Sequence, residues 1–396
     1  MRAGRAREAC EAGVARDPRE VGTTGADLRA ESPGPAAGTL VARAAVYDVQ
    51  PYRPPLGGRG GLRCDFNENT QGASPRVLRA LRELDPDCLS RYPQRGPAEQ
   101  RLAQFLSLRP EEVLLTNGAD EAIHLLCQTY LEAGSEALIV TPTFAMYEQA
   151  ARCRGAGVVS VAALEGFAFP AERLLAAVTP RTRLVAIANP NNPTGALAGA
   201  GDLLAVVRAA PQAAVLVDEA YWEFCGRTVV GEVGTAANLF VARTFSKAYG
   251  LAGLRLGALL GCEQQLSLVR RVASPYNVNA VALACLPPAL EDDGYLRRYV
   301  AAVRRGRALL QEAFSAHGVR CWPSQANFVL AHLGPAARAF VAAMARRGVL
   351  VRDRSDDPGC PGCVRITVGT ARQMRVVLAA LGESLREVGV SAEPSS

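Results

Sequence analysis

Lysine is nearly absent from this 396-residue chain: of 44 basic residues, 43 are arginine and only Lys247 is lysine. A coding bias toward arginine accounts for the sweep but not for the survivor. Arginine replaces lysine as a surface charge, yet its guanidinium stays protonated and cannot act as an amine nucleophile. The one retained amine therefore points to lysine chemistry such as a Schiff base. Long hydrophobic runs are missing too, because charges, Pro or Gly interrupt every stretch before the roughly 18 residues a membrane-spanning helix needs. The three histidines, His124, His317 and His332, form no motif with one another, which argues against a His-centred triad or metal site. Eleven cysteines, an odd count with no apolar signal segment at the N-terminus, read as reduced thiols in a cytoplasmic protein. The one close pair, Cys360 and Cys363, lacks the further ligands of a zinc site and reads as a Pro-Gly turn. Finally, the net charge of +6 is spread along the chain rather than gathered into a basic block, so no nucleic-acid partner is expected.

What is present suits a soluble α/β protein, with 49% hydrophobic and 21% charged residues. Residues 1–44 mix Arg with Glu and Asp without periodicity and read as a disordered tail, as do 389–396. From about residue 110, short β-rich runs alternate with helical patterns: Ala137–Thr141, Val158–Val161, Leu184–Ala188, Ala214–Val217, Leu239–Arg243 and Leu256–Leu260. This is the grammar of a mostly parallel sheet covered by helices. A long Arg- and Ala-rich helix follows, then the strands Asn327–Ala331, Val349–Arg352 and Val364–Val368, which predict a smaller α+β domain. The expected division is an N-terminal arm with part of the small domain over 45–84, a large domain over 85–288, and a small domain over 289–388.

In open α/β sheets ligands collect where strands end and loops begin. Three successive strand ends here carry Asn189-Pro190-Asn191-Asn192-Pro193-Thr194-Gly195, then Asp218-Glu219-Ala220-Tyr221, then Arg243-Thr244-Phe245-Ser246-Lys247. Pyridoxal phosphate needs an amine to hold its aldehyde and a carboxylate to keep its pyridine nitrogen protonated. Lys247 and Asp218 are the candidates. Asn192 and Tyr221 can donate to the ring's 3-oxygen. The phosphate asks for hydroxyls, a cation and a helix N-terminus. Thr244, Ser246 and Arg255 supply the first two. The third comes from Thr116-Asn117-Gly118-Ala119-Asp120, opening a helix predicted over Glu121–Leu131.

This order of motifs resembles the fold-type I pyridoxal-phosphate aminotransferases from about Tyr47 to Leu385, and within them the histidinol-phosphate aminotransferases. The matching text includes Gln50-Pro51-Tyr52, Asp65-Phe66-Asn67-Glu68-Asn69, Arg91-Tyr92-Pro93, Asn117 to Ile123, Pro142 to Tyr147, Pro190 to Gly195, Asp218 to Tyr221, Arg243 to Arg255, and Val364 to Gly369. The resemblance implies that Lys247 is the Schiff-base lysine and proton carrier, Asp218 the pyridinium partner, and Asn192 and Tyr221 the holders of the 3-oxygen. Phe144 would stack on the ring. Thr244, Ser246, Arg255 and Gly118-Ala119-Asp120 would cradle the phosphate. Tyr92 would reach the cofactor phosphate of a neighbouring subunit, so a homodimer is implied.

For substrate, Arg365 matches the arginine that grips the α-carboxylate of glutamate, and Tyr52 and Arg352 match positions facing the phosphate of histidinol phosphate. The expected reaction interconverts imidazole-acetol phosphate plus glutamate with histidinol phosphate plus 2-oxoglutarate. An aromatic amino-acid aminotransferase or a threonine-phosphate decarboxylase would share the cofactor. A pyridoxal-phosphate-binding regulator would need an N-terminal DNA-binding domain that the low-complexity tail is unlike. Thr70-Gln71, where the family usually has Pro and often Tyr, and Asn277-Val278-Asn279 depart from the pattern near the expected substrate entrance.

Overall fold

The computed structural model describes residues 40–51 and 60–390. The tail expected over 1–44 therefore lies almost wholly outside the described residues, as does Tyr52.

Eleven strands among the described residues form two sheets. In chain order they are β1 (Leu62–Cys64), β2 (Val113–Thr116), β3 (Glu136–Thr141), β4 (Gly157–Ala162), β5 (Thr182–Ala188), β6 (Ala214–Asp218), β7 (Leu239–Thr244), β8 (Gly257–Gly261), β9 (Phe328–His332), β10 (Val349–Asp353) and β11 (Cys363–Thr367). The larger sheet runs β2-β8-β7-β6-β5-β3-β4. Only β8 opposes its neighbours; β7, β6, β5, β3 and β4 are parallel. All six strands expected here appear, within a residue or two at their ends.

Apart from the largely exposed edge strand β4, these strands are mostly apolar because both faces are covered. Successive side chains alternate between two cores. Val215 and Val217 join Leu115, Val185, Val241 and Leu260 on one side. Leu216 joins Leu114, Leu184, Phe240 and Leu259 on the other.

The smaller sheet runs β1-β10-β11-β9, with β1 parallel to β10 and the remaining pairs antiparallel. Its core gathers Phe328, Val349, Val364 and Ile366 with Val303, Leu310, Phe340, Met344, Val377 and Leu381. Those come from the helices Asp293–Ala316, Ala337–Arg346 and Ala371–Glu387. No helix of the described residues is long and apolar enough to cross a membrane.

One predicted boundary moved. The helix expected at Glu121–Leu131 spans Gly118–Tyr130. The carboxylate of Glu121 turns back to accept the Asn117 N–H at 2.5 Å, so Glu121 closes the first turn rather than opening it.

Candidate active site

Backbone register brings the chemistry together. Asp218, the last residue of β6, is level with Ala188 of β5 and Ala242 of β7. The loops that follow these three strands therefore start side by side. The Asn189 turn, Tyr221 and Lys247 rise from one edge of the sheet.

Asp218 is buried, and both carboxylate oxygens are engaged. Oδ2 accepts from the Tyr147 hydroxyl at 2.6 Å and Oδ1 from the Ala220 N–H at 3.0 Å. Burial pushes its pKa up to about 6, with those two donors pulling the other way. Burial and the adjacent Asp218 in turn drive the Tyr147 phenol well above its ordinary range, so it stays a donor. Phe144 stands edge-on to Tyr147, ring centroids 5.8 Å apart.

Lys247 is half-buried, its ammonium donating to the Phe66 carbonyl at 3.2 Å and lying 5.9 Å from the Tyr221 ring centre. The Tyr221 hydroxyl accepts from Asn67 Nδ2 at 3.0 Å. Asn192 Oδ1 accepts from Arg365 Nη1, and Arg365 Nη2 donates to the Asp65 carbonyl at 2.7 Å. Arg365 Nε is buried without a hydrogen-bond partner among the described residues. Burial first and Arg354 second lower the Arg365 pKa to about 10, which leaves it charged at neutral pH. Arg352 pairs with Arg365 across β10 and β11, its guanidinium 5.8 Å from the Phe66 ring centre.

On the phosphate side, Gly118 and Gly257 allow a close approach. A Cβ on Gly257 would meet the Gly118 carbonyl carbon at 2.5 Å, and a Cβ on Gly118, where φ is +78°, would meet Arg255 Nη2 at 2.5 Å. The Gly118–Tyr130 helix thus starts against Arg255, which also pairs with Asp120 at 2.9 Å. Thr244 Oγ1 accepts the Ser246 N–H at 3.2 Å, while Ser246 Oγ is buried with no partner among the described residues. A guanidinium against the opening turn of a helix, where Gly118 bears no side chain, together with an unpaired buried hydroxyl just after β7, fits a phosphate monoester. With an amine and a buried carboxylate on the same sheet edge, the donor set matches pyridoxal phosphate.

The structure therefore brings together Asp218 with Phe144 through Tyr147, Lys247 with Tyr221, Asn192 with Arg365 and Arg352, and Arg255 with Gly118 and Asp120. Ala119 sits in the same opening turn. It does not bring Tyr92 to them within one chain: Tyr92 is 76% exposed and stacks on Tyr276 with centroids 4.3 Å apart.

Two residues were quoted in the motifs without being assigned a role, Tyr147 and Asn67. Tyr147 follows Phe144 by one helical turn after β3, a spacing that could have marked it. The departing residues carry scaffold bonds. The Thr70 hydroxyl donates to Gln373 Oε1 at 2.7 Å and Gln373 Nε2 donates back to the Thr70 carbonyl at 2.9 Å, while Asn277 donates to Glu121 at 2.6 Å and to the Leu115 carbonyl at 3.1 Å.

Residues 63–381 match the family model for aminotransferase class I and II. Histidinol-phosphate aminotransferase 2 of Methylococcus capsulatus is 37% identical over 371 residues, covering 88% of this chain and 99% of that protein. A histidinol-phosphate aminotransferase of Symbiobacterium thermophilum is 38% identical, covering 87% of this chain and 99% of its own. Among solved structures, the Sinorhizobium meliloti histidinol-phosphate aminotransferase in complex with pyridoxal-5'-phosphate superposes with a TM-score of 0.82 at 26% identity, over 89% of this chain and 100% of that one. The chain belongs to the class I and II aminotransferases.

Proposed function

We propose that this chain is a pyridoxal-phosphate-dependent transaminase of histidine biosynthesis, moving an amino group between L-glutamate and imidazole-acetol phosphate to give L-histidinol phosphate and 2-oxoglutarate. The observation that carries the reading is the shared sheet edge of Asp218, Tyr221 and Lys247, with the buried Arg365 bonded to Asn192 across it. The relatives' names supply the substrate.

Bound at this site, the cofactor supplies a protonated pyridine ring that draws electrons from the substrate α-carbon. Asp218 holds the ring nitrogen's proton, and Tyr147 and the Ala220 N–H keep that carboxylate ionised and aimed. Phe144 would pack against the ring. Tyr221 and Asn192 would donate to the 3-oxygen. Thr244, Ser246, Arg255 and the Gly118-Ala119-Asp120 turn would bind the phosphate. Lys247 would hold the cofactor through its side-chain amine and, when that amine is free, would serve as the base at the substrate α-carbon. Arg365 binds the α-carboxylate, its Nε still open, and Arg352 binds the substrate phosphate from the adjacent strand. Tyr52, outside the described residues, is read as the second phosphate contact.

The working unit is read as a homodimer. Tyr92, Tyr276 and Leu89 are all exposed near one groove, and Tyr92 serves the partner's cofactor. The setting is read as cytoplasmic from the odd, unframed cysteine set. The test is growth: this gene should restore histidine independence to a strain lacking the transaminase, and purified protein should form 2-oxoglutarate from glutamate only when imidazole-acetol phosphate is present. Failure of both would overturn the substrate assignment.

A further inference from the structure

Asn67 lies outside the large sheet's loops, between β1 and the helix Pro75–Arg82, yet reaches the middle of the site. It is 1% exposed and adopts a left-handed backbone, φ +55°, which asparagine tolerates better than most residues. Four hydrogen bonds hold it. Its N–H donates to Thr367 Oγ1 at 3.0 Å, its carbonyl accepts from Asn327 Nδ2 at 3.1 Å, its Oδ1 accepts from Thr367 Oγ1 at 3.1 Å, and its Nδ2 donates to the Tyr221 hydroxyl at 3.0 Å.

The direction of the amide follows from this hydrogen-bond network. Thr367 Oγ1 already accepts the Asn67 N–H, so the hydrogen it has left to give goes to the side-chain carbonyl oxygen. That leaves the NH2 group toward Tyr221. A phenol that accepts on its oxygen keeps its own hydrogen for another partner. Asn192 is arranged alike, its oxygen taken by Arg365 and its NH2 available.

We infer that Asn67 is a positioning residue for the transamination: by occupying the acceptor side of the Tyr221 hydroxyl, it reserves that hydroxyl's hydrogen for the 3-oxygen of the cofactor. The inference rests on the pyridoxal-phosphate reading above and deepens it. A donor to the 3-oxygen stabilises its negative charge and so loosens the proton on the nitrogen that Lys247 contributes to the cofactor link. Losing the donor raises the pKa of that nitrogen, which is read from the long-wavelength absorbance of the holoenzyme. The titratable groups facing Tyr221 are Lys247, Tyr147 and Arg365, all unchanged in the test variants.

The test titrates that absorbance in the unmutated holoenzyme and in each variant named below. Tyr221→Phe should raise the pKa by about 1 to 2 units, the loss of one hydrogen bond to a charged oxygen. Asn67→Gly, which keeps the left-handed backbone without strain, should raise it by about 0.5 to 1 unit, part of that loss. In the Tyr221→Phe background, Asn67→Gly should change nothing, whereas a merely structural residue would shift both backgrounds alike. Asn67→Asp, when ionised, offers only acceptors and turns the Tyr221 hydrogen away from the cofactor, so it should shift the pKa further than Asn67→Gly; its added charge acts in either background, so the part that passes through Tyr221 is the excess over Asn67→Asp in Tyr221→Phe, and that excess serves if the glycine variant does not fold. No shift in either Asn67 variant, or equal shifts in both backgrounds, overturns the inference. If the unmutated protein shows no titrating band that Lys247→Arg abolishes, it is the cofactor reading that has failed instead.

Discussion

Asp218→Asn should flatten the dependence of apoprotein stability on pH, and the size of the effect follows from burial. In the folded apoprotein the Asp218 carboxyl titrates near 6 rather than at the ordinary 3.8, because desolvation outweighs its two hydrogen bonds. An acid whose pKa rises on folding is more easily accommodated neutral than charged. Below about 3.8 both states are protonated and the group costs nothing. Between 3.8 and 6 the unfolded chain ionises first, and stability falls as pH rises. Above 6 the full cost is present. A shift of about two units corresponds to roughly 3 kcal/mol.

Cofactor binding offsets that cost by placing a cationic ring nitrogen beside the carboxylate, so a charge needed for activity destabilises the empty protein. Urea unfolding of apoprotein at a series of pH values from 4 to 8 measures the effect. The parent's loss of stability across that range should exceed that of Asp218→Asn by about 2.5 kcal/mol, since part of the change falls below pH 4, while the holoenzyme variant loses α-proton removal by orders of magnitude. Comparing slopes rather than absolute stabilities removes the separate cost of an amide NH2 left in a site built for a carboxylate. Parallel curves for the two apoproteins would show that Asp218 does not titrate in this range, and the account of its burial would fail.

Lys247→Arg should keep the charge yet bind cofactor only noncovalently, losing both the long-wavelength absorbance and borohydride labelling; survival of either would refute the assignment. Arg352→Leu should cost about 10- to 150-fold in kcat/KM for histidinol phosphate, the value of a charge-assisted contact to a phosphate, while barely affecting a phosphate-free aromatic donor. Equal harm to all donors would remove Arg352 from substrate recognition. Mixing Lys247→Ala chains with Tyr92→Ala chains should regenerate activity in heterodimers, since one of the two sites then has both residues intact; mixed dimers no more active than their parents would place Tyr92 outside the shared site.

Much of the large sheet was legible because its strands announce themselves locally. Runs such as Leu184 to Ala188 are apolar throughout, and their ends are marked by polar Asn, Asp and Ser residues that break the apolar run. The six strands from β3 to β8 were placed this way. β2, with four residues, and β1, with three, are too short for periodicity to distinguish them from loop. The lone lysine was legible by counting, and Asp218 and Asn192 by their place at strand ends.

Other features belong to the tertiary structure. The Asn67 contacts with Tyr221 and Thr367 join positions 154 and 300 residues apart, and nothing in the local text of Asp-Phe-Asn says where its amide points. The partnership of Tyr147 with Asp218 spans 71 residues. It exists because β3 and β6 both flank β5 in the folded sheet. The sequence by itself determined which chemical groups this protein owns, since residue type sets what can form an imine, carry a proton or grip a carboxylate. Which hydrogen each group gives, and at what pH it ionises, was decided only when folding removed water from around them and set donors against particular acceptors.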